Sequence, residues 1–271
     1  MILLRRIAVG LAGIYLLIAV GAWAGQRYLV YAPDDEHVDP RSIGLAGVEE
    51  RRLATPDGVT VLAWYARAKP GQPTLLYYHG NGGNLALRAD RIRRFMGQGL
   101  GVYMMSYRGY SGSGGVPSEK ANVADARLAY ADLRQQGVEP KDIVIYGESL
   151  GTGVAVQVAL DSPAAALILD APFTSIVEIG ESRYPLLPVN WLLANRYETI
   201  NVIGKLRMPL LVVHGEADRI VPVEMGRRVF AAATLAEPKR LVTLPGAGHG
   251  NHMRFGSFEA IMAFIEEVKR R

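Results

Sequence analysis

The chain has 271 residues, of which 49% are hydrophobic and 21% charged, a composition typical of a globular domain and not of a disordered chain. It contains no cysteine, which excludes a disulfide framework, a cysteine-based zinc site and a cysteine nucleophile. The net charge of +4 is spread over both halves without a cluster of Lys and Arg, so we expect no nucleic-acid partner.

The N-terminal segment is the first predicted element. Nineteen uncharged residues, 7–25, follow Arg5 and Arg6. As a helix they would span roughly 28 Å, close to the thickness of the bilayer hydrocarbon. We therefore expect residues 1–25 to be a transmembrane signal anchor, with the arginines in the cytoplasm and the following domain outside it. Two alternatives remain open: a signal peptide cleaved near Ala24, which would release a secreted or periplasmic protein, and a buried helix of a soluble protein.

The middle of the chain predicts a linker, a hairpin and then alternating strands and helices. Residues 26–47 contain two prolines and two glycines and predict an irregular linker. Residues 48–67 alternate around a Thr-Pro-Asp-Gly turn and predict an antiparallel hairpin. Short apolar runs then predict strands at 74–78, 101–105, 142–146, 166–169, 210–213 and 240–244. Helical spacing predicts helices at 84–97, 118–136, 149–161, 224–236 and 258–268.

This order predicts the fold class. The strands are continuously apolar, as strands buried on both faces are. We expect residues 48–271 to form one α/β domain, with a mainly parallel twisted sheet, an antiparallel N-terminal hairpin and helices on both faces. Ligands bind beyond the carboxyl ends of such strands, so the loops after the apolar runs hold the candidate site residues.

Ser149 is the candidate nucleophile. It stands in Gly-Glu-Ser-Leu-Gly, the single G-x-S-x-G in the chain, between a predicted strand and a predicted helix. Glycines on both sides suit a strained strand-to-helix turn that bulky neighbours would obstruct. A glycine-rich turn that happens to contain a serine is the alternative interpretation.

A serine nucleophile needs a base, and the base needs a carboxylate to orient it. His249 follows the last predicted strand in a loop of small residues and is the candidate base, with His252 as the alternative. Asp218 follows the penultimate strand and is the candidate acid. Asp170, after the preceding strand, and Glu216 are the alternatives.

The same loops offer donors for a developing oxyanion. The main-chain N–H of Asn81, in His-Gly-Asn-Gly-Gly after the first parallel strand, and that of Leu150, at the start of a helix, are the candidates. A phosphate-binding loop would need a Walker lysine or G-x-G-x-x-G spacing, and neither is present. His249 and His252 lack a third ligand at convincing spacing, so we expect no metal and no cofactor.

Six motifs in order, YHGNGGN, YRGYSGSGG, GESLGTG, DAPFTS, HGEADRIVP and GAGHGN, resemble those of α/β-hydrolase-fold serine hydrolases. They are particularly similar to the membrane-anchored ABHD-type branch of depalmitoylases and their bacterial relatives, over roughly residues 27–268. The resemblance implies Ser149, Asp218 and His249 as the catalytic triad, and Asn81 and Leu150 at the oxyanion hole. The sequence departs from many relatives at Ser106, where they carry an acidic residue. This departure does not touch the proposed triad, and we expect it to alter the loop that carries Arg108.

We expect hydrolysis of carboxylic esters or thioesters of a small or lipid-like acyl substrate, through an acyl-serine intermediate. An amidase or peptidase of the same fold and a catalytically silent binding or scaffold protein are the alternatives. Residues 172–205 are rich in apolar side chains and predict either a short lid over an acyl pocket or a helix and loop packed on the sheet edge.

Overall fold

A computed structural model describes residues 1–270. The strands are β1 (Ala32–Pro33), β2 (Val48–Ala54), β3 (Thr60–Ala66), β4 (Thr74–Tyr78), β5 (Gly82–Gly83), β6 (Gly101–Met105), β7 (Ile143–Glu148), β8 (Ala166–Asp170), β9 (Leu210–Gly215) and β10 (Lys239–Leu244). The α-helices are α1 (Ile2–Val30), α2 (Ala89–Gly97), α3 (Glu119–Gln135), α4 (Leu150–Ala159), α5 (Ile176–Arg183), α6 (Val189–Leu192), α7 (Thr199–Val202), α8 (Val223–Ala232) and α9 (Ser257–Lys269).

Eight strands form one sheet in the order β2-β3-β6-β4-β7-β8-β9-β10. The pairs β2–β3 and β3–β6 are antiparallel, and the other five neighbouring pairs are parallel. One apolar core lies between the sheet and α3, α4 and α8, and the second lies between the sheet and α2 and α9. The mainly parallel sheet with an antiparallel start and helices on both faces is confirmed.

The helices depart from the predicted bounds mainly at their ends. Ser118 is the N-cap of α3, since its Oγ accepts a hydrogen bond from the N–H of Ala121 at 3.2 Å. The predicted helix 84–97 is divided: a 3-10 helix at Leu85–Arg88 precedes α2. The predicted helix 224–236 ends at Ala232 as α8, because a turn then leads into β10.

The structure differs from the sequence-based expectation at the linker. Helix α1 continues through Val30, because the first proline after the apolar segment is Pro33. The following residues pack on the domain: Tyr31 and Leu45 are 3% and 2% exposed, and β1 pairs in parallel with β5. Of the predicted linker 26–47, residues 26–30 are therefore helical, and residues 31–47 are attached along the domain surface.

Helix α1 itself is long and apolar enough to cross a membrane. It has 29 residues, and only 6% of its most apolar 18-residue window is buried in the protein.

Candidate active site

Ser149 occupies the turn between β7 and α4. Its φ of 49° and ψ of −115° lie where non-glycine residues are rare, a conformation that costs on the order of 1–3 kcal/mol. Hydrogen bonds hold the turn: the N–H of Ser149 donates to Asp170 O at 2.8 Å, and the N–H of Thr152 donates to Ser149 O at 2.9 Å. The turn presents the Ser149 hydroxyl at the carboxyl edge of the sheet.

The two glycines of G-x-S-x-G are required by close approach. A Cβ at Gly151 would lie 2.0 Å from the carbonyl oxygen of Tyr78 in β4. A Cβ at Gly147 would lie 2.6 Å from Gly151 O. The missing side chains let α4 begin directly against the end of β4, so the interpretation of the glycines as a steric requirement agrees with the structure.

The structure brings Ser149, His249 and Asp218 together. Ser149 Oγ lies 2.8 Å from His249 Nε2, and His249 Nδ1 lies 2.7 Å from Asp218 Oδ2. With the proton on Nδ1, His249 donates to the carboxylate and accepts from the serine hydroxyl. The N–H groups of Ile220 and Val221 donate to Asp218 Oδ1 at 2.8 and 2.9 Å and fix the carboxylate plane.

Asp218 is ionised at neutral pH. Burial by itself would raise the pKa of this carboxyl, but its interactions with His214 and His249 outweigh burial and hold the pKa well below its ordinary value. His214 Nε2 donates to Val221 O at 2.8 Å and lies 3.5 Å from Asp218 Oδ2. His214 thus supports the loop that carries Asp218, a role that sequence reasoning missed; its place at the end of β9 was the only signal for it.

Asp170 and His252, the alternative acid and base, are brought together with each other. His252 Nδ1 donates to Asp170 Oδ1, while Tyr146 OH and Arg91 Nη1 reach Asp170 Oδ2 at 2.6 and 3.2 Å. Asp170 and His252 are each 1% exposed. Burial would raise the pKa of Asp170, but these partners outweigh burial and hold the pKa below its ordinary value. The carboxylate is therefore paired with His252, Tyr146 and Arg91.

Glu216, the third candidate acid, accepts a hydrogen bond from Thr243 Oγ1 at 2.8 Å, on an exposed part of the surface.

Asn81 and Leu150 both line the cavity that contains Ser149. Leu150 is the first residue of α4, where main-chain N–H groups have no partner within the helix. The Asn81 side chain is fixed, since its Oδ1 accepts from Tyr110 OH at 2.9 Å and from Ala32 N at 3.2 Å. Arg88 Nη1 donates to the Gly82 carbonyl at 2.6 Å and holds the same loop from the other side.

The departure at Ser106 leaves this loop region well supported. Ser106 Oγ donates to Tyr110 O at 2.9 Å. Arg108 pairs with Asp125 at 2.7 Å and with Asp57 at 2.6 Å. The loop that carries Arg108 is therefore held by ion pairs and positions Tyr110, which in turn contacts Asn81.

A cavity of about 620 Å³ opens above Ser149 and His249. This volume is within the usual range of ligand pockets, roughly 300–1,000 Å³. A large part of its wall comes from α1 and from the segment 172–205, and this part is mainly apolar: Ala22, Leu29, Val30, Phe173, Ile176, Ile179, Leu187, Val189, Leu192 and Leu193. Across residues 1–270, no three His, Cys, Asp or Glu side chains are grouped in a way that could hold a metal ion.

We expect Gly151→Ala to lower the free energy of unfolding by about 3 kcal/mol, because the new methyl group would collide with the main chain of β4. The midpoint of urea unfolding measures this. Gly97→Ala is the matched control: a Cβ there meets nothing within 4 Å, so it should leave stability unchanged or raise it slightly. Equal midpoints for Gly151→Ala and wild type would contradict the steric argument.

A profile of the family described as serine aminopeptidase, S33, matches residues 69–205. An uncharacterized protein of Mycobacterium tuberculosis is 40% identical over 99% of this chain and 98% of its own length. The α/β hydrolase domain-containing protein WAV2 of Arabidopsis thaliana is 31% identical over 88% of this chain and 84% of its own. Lysophosphatidylserine lipase ABHD12 of Danio rerio is 28% identical over 96% of this chain and 78% of its own length.

Among solved structures, the esterase Pf2001 of Pyrococcus furiosus superposes with a TM-score of 0.71, covering 88% of this chain and 98% of that one. At 16% identity this likeness shows the fold alone, and it confirms the predicted α/β-hydrolase fold. The matched family profile and the relatives show in addition that this chain is related to α/β hydrolases in sequence. The chain belongs to the α/β-hydrolase family and is a hydrolase of the ABHD type.

Proposed function

We propose that the protein is a serine hydrolase that cleaves carboxylic esters or thioesters through an acyl-serine intermediate. The observation that carries the proposal is the continuous hydrogen-bonded chain from Ser149 Oγ through His249 to Asp218 at the base of an apolar cavity. The relative described as a lipase agrees with this reaction class.

In the acylation step His249 Nε2 removes the proton from Ser149 Oγ while the oxygen attacks the substrate carbonyl carbon. The carbonyl oxygen becomes an oxyanion, for which the N–H groups of Asn81 and Leu150 are the donors. Collapse of the tetrahedral intermediate breaks the bond to the leaving group, which takes the proton from His249 and departs as an alcohol or thiol. The acyl group stays on Ser149.

Deacylation repeats these steps with water. His249 Nε2 takes a proton from water, the hydroxide attacks the acyl carbon, and the ester bond to Ser149 breaks as His249 returns the proton to Oγ. In both steps the Asp218 carboxylate stabilises the imidazolium that forms. The N–H groups of Ile220 and Val221 hold that carboxylate in place through its Oδ1 atom.

We expect Ser149→Ala to abolish labelling by a fluorophosphonate probe and to lower kcat for p-nitrophenyl esters by about 10⁴-fold or more. Ser42→Ala, at an exposed position in a 3-10 helix, is the control and should label like wild type. Since the matched family's description names an aminopeptidase, the panel includes aminoacyl amides. Labelling that persists in Ser149→Ala would refute the nucleophile, and faster turnover of amides would favour a peptidase.

The choice of acid is tested by a pair of isosteric variants. Asp218→Asn should retain the fold and lower kcat by about 10⁴-fold, because an amide at this position favours the wrong tautomer of His249. Asp170→Asn removes the charge facing Arg91 and His252, so it should lower the unfolding midpoint. The kcat of the folded Asp170→Asn protein should fall far less than that of Asp218→Asn. An active Asp218→Asn together with an inactive, folded Asp170→Asn would reverse the assignment.

We also propose that α1 is a single-pass anchor with the N-terminus in the cytoplasm, on the basis of Arg5 and Arg6 before the apolar segment. Protease added to spheroplasts should then digest the domain while a cytoplasmic marker survives, and carbonate washing should leave the protein in the membrane pellet. A protected domain would reverse the topology. Release of a soluble chain beginning near Gly25 would show a cleaved signal peptide.

A further inference from the structure

Helix α1 is joined to the segment 172–205 by hydrogen bonds from its side chains. Gln26 Nε2 donates to Leu192 O at 3.1 Å, and Gln26 Oε1 accepts from Ala194 N at 2.7 Å. Eleven residues earlier, about three turns along the same helix face, Tyr15 OH donates to Leu186 O at 2.9 Å. Main-chain groups in α6 and in the residues on both sides of it therefore find hydrogen-bond partners on α1.

The end of α1 is also fixed through Tyr197, a buried residue of the same segment that in turn contacts α3. Tyr31, directly after the helix, shares a hydrogen bond of 3.0 Å with Tyr197 through the two hydroxyl groups. Asn122 Nδ2 donates to the same Tyr197 hydroxyl at 3.0 Å. Tyr31 and Tyr197 are both buried. The last turns of α1 thus keep a defined position above the sheet edge.

This position makes α1 one wall of the cavity above Ser149. Ala22, Leu29 and Val30 line it from the helix, together with apolar side chains of α5 and α6. Ala24 lies on another side of the helix, where with Trp23 and Arg27 it borders a separate groove formed with the start of α3.

We infer that the side of α1 formed by Ala22, Leu29 and Val30 is part of the acyl-binding site, and that Gln26 joins this side of the helix to the segment 172–205, the lid of the site. The inference rests on the proposed function, because the occupant is the acyl chain of the ester whose carbonyl reaches Ser149. The cavity suits a long chain, since its walls are mainly apolar and continuous from Ser149 to Ala22. Each methylene group buried there is worth about fourfold in affinity.

The test compares a long and a short ester on the full chain in one detergent. We expect Ala22→Phe to lower the ratio of kcat/KM for p-nitrophenyl palmitate to that for p-nitrophenyl butyrate by about sixteenfold or more, because the ring takes the space of at least two methylene groups. Ala24→Phe makes the same change on the other side of the helix and should leave the ratio within about twofold of wild type.

A second pair tests the connection to the lid. Gln26→Ala should lower the same ratio by about threefold or more, since the N–H of Ala194 and the carbonyl of Leu192 lose their partner. Gln98→Ala, at an exposed position after α2, is the control.

The outcomes separate the two proposals. An unchanged ratio in Ala22→Phe, or an equal fall in Ala24→Phe, would overturn the role of α1 while leaving the hydrolase intact. A wild-type protein that hydrolyses neither ester would overturn both proposals.

Discussion

The close approach of α4 to β4 at Gly151 is the constraint on which the site geometry rests. Because Gly151 has no Cβ, the first turn of α4 lies against the carbonyl of Tyr78. That contact brings the start of α4 beside the loop that follows β4, so Leu150 and Asn81 border the same space above Ser149. The strained backbone of Ser149 is held between two regular elements that cannot shift independently.

Buried charges, not only apolar packing, support this edge of the sheet. Glu148 and Asp170 are register partners on β7 and β8, and Arg91 of α2 lies 3.6 and 3.2 Å from their carboxylates. Burial would raise the pKa of Glu148, but Arg91 and Arg88 outweigh it and keep the pKa lowered. Arg88 also holds the Gly82 carbonyl, which links this network to the loop of Asn81. Removing one member would leave a buried charge without its partner.

The elements that the sequence predicted well are those with a distinctive local pattern of apolar and polar residues. The runs at 74–78 and 101–105 coincide with β4 and β6, because continuous apolar residues bounded by polar or glycine residues leave little ambiguity. Local pattern cannot show that Ala32 and Pro33 pair with Gly82 and Gly83, so the prolines and glycines of 26–47 indicated only a linker. Local pattern also could not show that Asp170 and His252 pair with each other, since both follow strands just as Asp218 and His249 do. The helices α6 and α7 have four residues each, too short for periodicity to reveal.

The segment 172–205 and the end of α1 carry large exposed apolar side chains. Leu186 and Trp191 are 84% and 88% exposed, and Tyr28 near the end of α1 is 90% exposed. Large exposed apolar side chains on these two elements favour contact with a membrane over contact with water, and Trp and Tyr are typical of the interface. Gln26 and Tyr15 attach α1 directly to this segment, so the part of the chain that carries Leu186 and Trp191 lies along the helix between those two residues. One helix would then serve both as the proposed anchor and as a wall of the cavity above Ser149.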